Sequence, residues 1–273
     1  MNMENIIRAL SSSSWTLLAA AIGACASASE PYPVKPVRVI VAFSPGGYVD
    51  LVARLVAGPL STALGQQVVV ENRAGAGGIV GTELAARAAP DGHTLTIGSV
   101  GTHAVNQSLY RKLPYNVLRD FQAIARLSDS PNILAVHPSL PVRTVKDLIA
   151  LGRALPGQIM YASAGAGTST HLAAVLFEHL ARVRFVHVPY KGGGPAIIDV
   201  VAGQVPVTFG TAASVSPHTK SGRLRGVAVT ASQRSALLPE LPTIAEGGLP
   251  DYEMLNWLGM FAPAGTPRAV AER

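Results

Sequence analysis

The sequence predicts an α/β fold built as two lobes, and three observations carry that prediction. Short apolar runs alternate with segments of helical periodicity, the pattern of strand–helix–strand units that build mainly parallel sheets. The scheme that opens the chain at residues 37–64, a strand, a small-residue turn and a helix, returns at 158–180. Between them lie two apolar runs, 123–127 and 132–137, separated by the polar Ser128-Asp129-Ser130-Pro131. That polar break within extended chain reads as a crossing from one lobe to the other.

The opening strand is 37–43, and it ends at Ser44-Pro45-Gly46-Gly47 before a helix over 49–64. Glycines there let the backbone approach a ligand, and the helix start offers N–H groups that the helix itself leaves unpaired. Leu51, Val52, Leu55, Val56 and Leu60 are expected on its core face, Gly58-Pro59 is expected to weaken its middle, and Gly65 to end it. Residues 67–71 read as a second buried strand, 72–78 as a glycine turn, 79–88 as a helix and 93–99 as a third strand. This order implies a parallel sheet with right-handed crossovers and ligands at the carboxyl ends of its strands. Thr144 is a suitable N-cap for a helix over 146–155. The second lobe then follows as strands 158–162, 184–189, 205–209 and 224–230. Its helices are 168–180 after the turn Ser163–Gly167, and 195–202 after the turn 190–194. Residues 252–263 read as an extended segment returning to the first lobe.

With 48% hydrophobic and 14% charged residues, the 273-residue chain can bury a large core and is no disordered protein. The net charge is +6, yet the basic residues are scattered and aromatics make up 5%, which speaks against nucleic-acid binding and for small anions. Residues 15–24 form an apolar stretch too short to span a bilayer comfortably. With Arg8 before it and Ala24-Cys25-Ala26 or Ala26-Ser27-Ala28 after it, residues 1–28 read as a signal peptide. A membrane anchor, or a lipoprotein with Cys25 lipidated, is the alternative. Cys25 is the one cysteine, so the mature chain is expected to use no disulfide and no thiol chemistry.

Enzymatic motifs are incomplete. Tyr161-Ala162-Ser163-Ala164-Gly165 ends like a nucleophile elbow but lacks its first glycine, and no motif pairs a serine with one of the seven histidines. The glycine clusters at 75–78 and 165–167 lack the lysine or the spacing of nucleotide-binding loops. No metal site is expected, since His171, His179 and His187 have no ligand spacing. His103 and His171 stand at expected cleft turns, where each is a carboxylate donor or a helix cap. Asp50 suits the dipole of its helix, or else accepts from the ammonium of an amino-acid ligand.

Many stretches taken together resemble the Bug-type periplasmic solute-binding receptors of tripartite tricarboxylate transporters. They include VRVIVAFSPGG at 37–47, VVVENRAGAGG at 68–78, AAPDGHTL at 88–95 and GTHAVNQSLYRKLPY at 101–115. YASAGAGTSTHLA at 161–173, HVPYKGGGPA at 187–196, LPTIAEGGLPDYE at 241–253 and GMFAPAGTP at 259–267 follow in family order. The resemblance implies a two-lobed Venus-flytrap periplasmic-binding-protein fold of type II. Residues 29–127 and 254–273 would form one lobe and 128–253 the other, with the chain ending before C-terminal helices that relatives add. It implies a monomeric receptor without catalytic activity, metal or cofactor, which hands a di- or tricarboxylate, aromatic acid or acidic amino acid to a membrane permease. A ligand sensor for a signalling partner and an exported hydrolase using Ser163 are the alternatives. By the same resemblance Ser44, Gly46 and Gly47 bind one carboxylate; Tyr48 departs from the family, which usually has a small or polar residue there, and is expected to narrow the pocket. Gly101, Thr102 and His103 line that lobe, and Ser163, Ala164, Gly165, Thr168 and His171 close from the other. Phe209-Gly210-Thr211 departs from the family's usual pattern at the cleft edge.

Overall fold

Strand β1 (Val37–Val41) lies between β2 (Val68–Asn72) and β3 (Thr94–Ser99), parallel to both. Its apolar residues are buried and β3 is buried at every position, as expected of strands covered on both faces. These coordinates come from a computed structural model that describes residues 32–236 and 238–273. The signal-peptide expectation for residues 1–28, with Cys25, lies outside the described residues. Lys35–Arg273 form one compact unit. Among the described residues no helix is long and apolar enough to cross a membrane.

Helix α1 (Tyr48–Leu64) runs unbroken through Pro59 and ends at Gly65, whose φ of 67° is the left-handed conformation glycine accepts readily. Its buried face is Tyr48, Asp50, Val52, Ala53, Ala57 and Leu64, whereas Leu51 and Leu55 are exposed. The expected core stripe is therefore rotated: small alanines face the sheet, so the backbone packs close and the bulkier leucines point outward. Helix α2 (Ile79–Ala86) follows a 3₁₀ turn and carries the chain into β3.

The apolar runs flanking 128–131 belong to one strand, β4 (Phe121–Val136), not two. Its polar middle is paired all the same, because β9 (Leu255–Pro263) runs antiparallel to it from Phe121↔Pro263 to Pro131↔Leu255. β9 also pairs antiparallel with β3, completing the first sheet in the order β2-β1-β3-β9-β4. At Asn132 strand β4 changes partners to β7 (Val207–Thr211) and β8 (Arg225–Val229), both antiparallel to it. Beyond β7 lie β5 (Met160–Ser163) and β6 (Val186–Pro189), parallel to each other, with β5 parallel to β7. Each lobe is thus a mixed sheet with a parallel majority on its outer side.

Four helices complete the second lobe: α3 (Val145–Ala154), α4 (Ser169–Ala181), α5 (Gly193–Val201) and α6 (Ala212–Lys220). In α4, Ala173, Phe177 and Ala181 recur every fourth residue and are buried. Phe177 packs 5.4 Å from Phe209 between ring centroids, inside a core that includes Leu134, Tyr161 and Tyr252. Burying one such ring contributes about 1.5–3 kcal/mol. Helix α6 was not expected from the sequence; Val215 is its sole buried residue and Pro217 lies within it, so no apolar stripe announces it.

A candidate ligand-binding site between the lobes

Four helices begin at one place. The cavity at the junction of the lobes is lined by Gly47, Tyr48 and Val49 from the start of α1 and by Thr168, Ser169 and Thr170 from the start of α4. Gly193, Ala196 and Ile197 of α5, and Thr211 and Ser214 at the start of α6, also line it. Strand residues Phe43, Ser99, Ser163, Ala164, Thr208, Gly210 and Asn256 complete its walls. Its free volume of about 50 Å³ is several times what a single water requires. None of these lining residues is charged; hydroxyls, one carboxamide and apolar surface make up the walls.

The N-caps of these four helices share a property. The side chains of Gly47, Thr168, Gly192 and Thr211 accept no hydrogen bond from the backbone N–H groups of the first turn that follows. The two glycines cannot, and the two threonines are diverted: Thr168 Oγ1 donates to Gly165 O at 2.6 Å, and Thr211 Oγ1 donates to Ser214 Oγ at 2.9 Å. The first turns of four helices, each carrying a partial positive charge and receiving no side-chain cap, therefore lie at the cavity. An anion that only accepts hydrogen bonds is the complement of such a site.

The lobes meet around this cavity along a seam of backbone. Ser44 N donates to Lys191 O at 3.0 Å and Ser44 Oγ to the same oxygen at 3.1 Å. A Cβ placed on Gly77 would lie 2.4 Å from Ala166 O, one on Gly101 2.8 Å from Gly167 O, and one on Gly194 2.5 Å from Pro45 O. Only glycine lets the backbones come this close, so the closed arrangement is written into residue type on both sides of the cleft.

The residues expected at the site separate into three groups. Gly47, Tyr48, Ser163, Ala164 and Thr168 line the cavity. Ser44, Gly46, Gly101 and Gly165 belong to the seam or its turns: the Gly46 N–H is taken by Asp50 Oδ2 at 3.0 Å, and a Cβ on Gly165 would meet Tyr190 O at 3.0 Å. Thr102, His103, His171 and Phe209 are not among the lining residues. Thr102 is fully buried in a π-helical turn, Gly101–Val105, where its Oγ1 accepts from Ser99 N at 3.0 Å. The His103 ring stacks on Phe261 at 4.1 Å and against Phe121 at 4.8 Å, and burial lowers its pKa to about 4. It is a neutral core side chain. Phe209 is fully buried in the second lobe's core, and the cavity edge there is made by Gly210 and Thr211.

His171 Nδ1 accepts from Gly167 N at 3.2 Å and so fixes the turn before α4. Its ring stacks on His187 at 4.3 Å, although the two are distant in sequence. His187 Nε2 lies 2.6 Å from Ser163 Oγ, a serine–histidine pair that no sequence motif announces. The neighbouring backbone donors are occupied, Ala164 N by Thr170 Oγ1 at 2.9 Å and Gly165 N by Ser163 Oγ at 3.1 Å. Those two N–H groups are therefore not free to stabilise an oxyanion beside the pair. Asp50 is committed internally: besides Gly46 N, it accepts from Arg54 Nε at 3.0 Å and from Asn72 Nδ2 at 2.9 Å. Among the described residues, no group of three or more histidine, cysteine, aspartate and glutamate side chains is placed to hold a metal ion.

Two α/β lobes joined by crossing strands and closed over a cavity of helix starts define a solute-binding receptor of the periplasmic-binding-protein type. The chain belongs to the tripartite tricarboxylate transporter receptor family: the model described as "Tripartite tricarboxylate transporter family receptor" matches residues 52–273. Protein BugT of Bordetella pertussis is 39% identical over 267 residues, covering 97% of this chain and 81% of BugT. The structure of R. palustris Rpa4515 with adipate is 38% identical with a TM-score of 0.86, covering 88% of this chain and 80% of that one. MatC (Rpa3494) from Rhodopseudomonas palustris with bound malate is 34% identical with a TM-score of 0.85, covering 88% and 82%.

Proposed function

We propose that this chain is an extracytoplasmic receptor that captures a small carboxylate between its lobes and presents it to the membrane permease of a tripartite tricarboxylate transporter. The observation that carries the reading is the convergence of four uncapped helix starts on a cavity without a charged side chain. Excluding water on closure leaves those partial charges little screened, so backbone dipoles suffice to hold a carboxylate. Gly47, Ser163, Ala164 and Thr168 would surround the acid together with Ser169, Gly193 and Thr211, and Tyr48 would set the width of the site. Tyr48 is held for that role by its hydroxyl, which donates to Ser128 Oγ at 2.8 Å on the crossing strand.

No carboxylate lines the cavity to receive an ammonium, which supports a plain organic acid over an acidic amino acid. The relatives with adipate and malate bound point to the same class. Export to the periplasm by residues 1–28, and action as a monomer without metal or cofactor, complete the reading. Titrating the purified protein with malate, adipate and an aromatic acid tests it. An acid at 100 times its Kd adds about 2.7 kcal/mol of stability and raises Tm by about 5–10 °C. A melting curve unmoved by every acid, together with ester turnover that Ser163→Ala abolishes, would replace the receptor with a hydrolase.

A further inference from the structure

Ser163 forms part of the cavity wall and is 1% exposed, so the direction of its hydroxyl proton matters to whatever binds there. A serine hydroxyl has one proton to give and two lone pairs to receive with. One lone pair of Ser163 Oγ is filled by the Gly165 N–H at 3.1 Å. The remaining partner within the protein is His187 Nε2 at 2.6 Å, and the sense of that bond decides what the cavity sees. If Nε2 accepts, the hydroxyl proton is consumed inside the lobe and a lone pair faces the cavity. If Nε2 donates, both lone pairs are filled and the proton points outward. A carboxylate only accepts, so the first arrangement repels it and the second binds it.

We propose that His187 is a positioning residue for ligand selection: by donating from Nε2 to Ser163 Oγ, it turns the Ser163 hydroxyl proton into the cavity and makes that wall selective for a carboxylate. The inference rests on the carboxylate-receptor reading and adds a residue that touches no ligand. The surroundings hold the ring in place. His187 is opposite Tyr161 in the β5–β6 register and stacks on it at 5.0 Å and 16°, with His171 on its other side at 4.3 Å. Burial and the neighbouring His171 lower the His187 pKa to about 4, so at neutral pH the ring carries a single proton and must place it on one nitrogen or the other. Tyr161 and His171 add no charge, since burial raises the tyrosine's pKa and lowers that of His171.

The test is a mutant cycle read by calorimetry with malate and adipate as probes, beside nitrogen NMR of the histidines in the unmodified protein. Ser163→Ala is expected to weaken binding about 10-fold or more, the range for losing a hydrogen bond to a charged group. His187→Phe keeps the stacked ring without a donor, and a loss of about fivefold is expected in the wild-type background and none in the Ser163→Ala background. His187→Gln, which carries an N–H near the position of Nε2, should recover most of that loss. The NMR spectrum of the acid-bound protein should show His187 protonated at Nε2, an observation that stands even if a variant fails to fold. Additive losses in the cycle, or protonation at Nδ1 in the complex, overturn the assignment of His187 while leaving the receptor intact. Failure of the wild-type protein to bind any organic acid overturns the receptor reading, and this assignment with it.

Discussion

Helix α3, none of whose residues lines the cavity, and the four helices that begin at the cavity treat their first N–H groups in opposite ways. At α3, Thr144 Oγ1 accepts from Asp147 N at 3.1 Å while Asp147 Oδ2 accepts from Thr144 N and Arg143 N, each at 2.9 Å. This capping box leaves the helix start satisfied by its own side chains. The short helix Val117–Asp120 is likewise capped, with Asn116 Oδ1 accepting from Leu118 N and Arg119 N. At the cavity, glycine or a diverted threonine stands where the cap would be, four times over. Helix α2 also starts uncapped, at Gly78, but none of its residues lines the cavity; at the cavity four such starts come together.

Supplying the missing charge covalently should break this contrast most severely. A Cβ on Gly193 meets nothing closer than Ser214 Oγ at 3.7 Å, and an aspartate in the first turn complements the helix dipole. Gly193→Asp is therefore expected to fold normally, occupy the donors itself and weaken acid binding by about 100-fold, the loss of two hydrogen bonds to a charged group. Calorimetry checks this, and an unchanged Kd would mean that the α5 start does not face the ligand.

The next perturbation leaves the donors free and holds the lobes apart. Gly101→Ala sets a methyl group 2.8 Å from Gly167 O, a contact that only opening of the seam relieves. Binding is expected to fall about 10-fold as the closed population falls, with a larger radius of gyration in X-ray scattering and an unchanged fold. Equal scattering curves for variant and wild type would show that the seam tolerates the methyl.

The capped helix provides the opposite case. Thr144→Ala should cost about 1 kcal/mol of stability, as loss of a cap does, and leave the Kd for every acid unchanged. Denaturant unfolding and calorimetry on the same preparation separate the two effects.

How much of this contrast could be read from the sequence depends on how local its causes are. The turns at Ser44–Gly47 and Ser163–Thr168 were legible because an apolar run, small residues and a helix follow one another directly. The turn before α5 was legible as a turn but not as part of the site, since its approach to Gly47 is made by tertiary packing. The start of α6 was not legible, because Thr211 is a capping residue type but AASVSPHTK after it has no apolar stripe to mark a helix. His103 shows the limit of local reading: its place beside a cleft turn suggested a carboxylate donor or a helix cap, whereas its ring stacks on Phe261, far along the chain, a contact that no local pattern announces. The Ser163–His187 pair is likewise a product of strand register, with Tyr161 opposite His187, and no spacing rule foretells it.

Asp50 gives the smallest and most selective test, because it is an acid in the first turn of a cavity helix, where the contrast would place none. Its carboxylate faces Gly46 N, Arg54 and Asn72 and is absent from the cavity lining. Burial by itself would raise its pKa, but the hydrogen bonds from Arg54, Gly46 N and Asn72, with the charge of Arg54, outweigh burial and hold it below the usual carboxylate value. A depressed folded pKa means the fold favours the ionised form, so this contribution is complete above the unfolded pKa of about 4 and is lost as pH falls through the folded value. Asp91, Asp120 and Asp147 also have lowered pKa values, so the acid sensitivity of the wild type alone does not isolate Asp50. The difference in unfolding free energy between wild type and Asp50→Asn does isolate it, and that difference should shrink between pH 5 and pH 3 in urea denaturation. Acid binding at neutral pH should change far less than it does in Gly193→Asp. A difference that stays constant down to pH 3 would mean that Asp50 carries no structural charge, and that the α1 start is as free of internal anions as the other three.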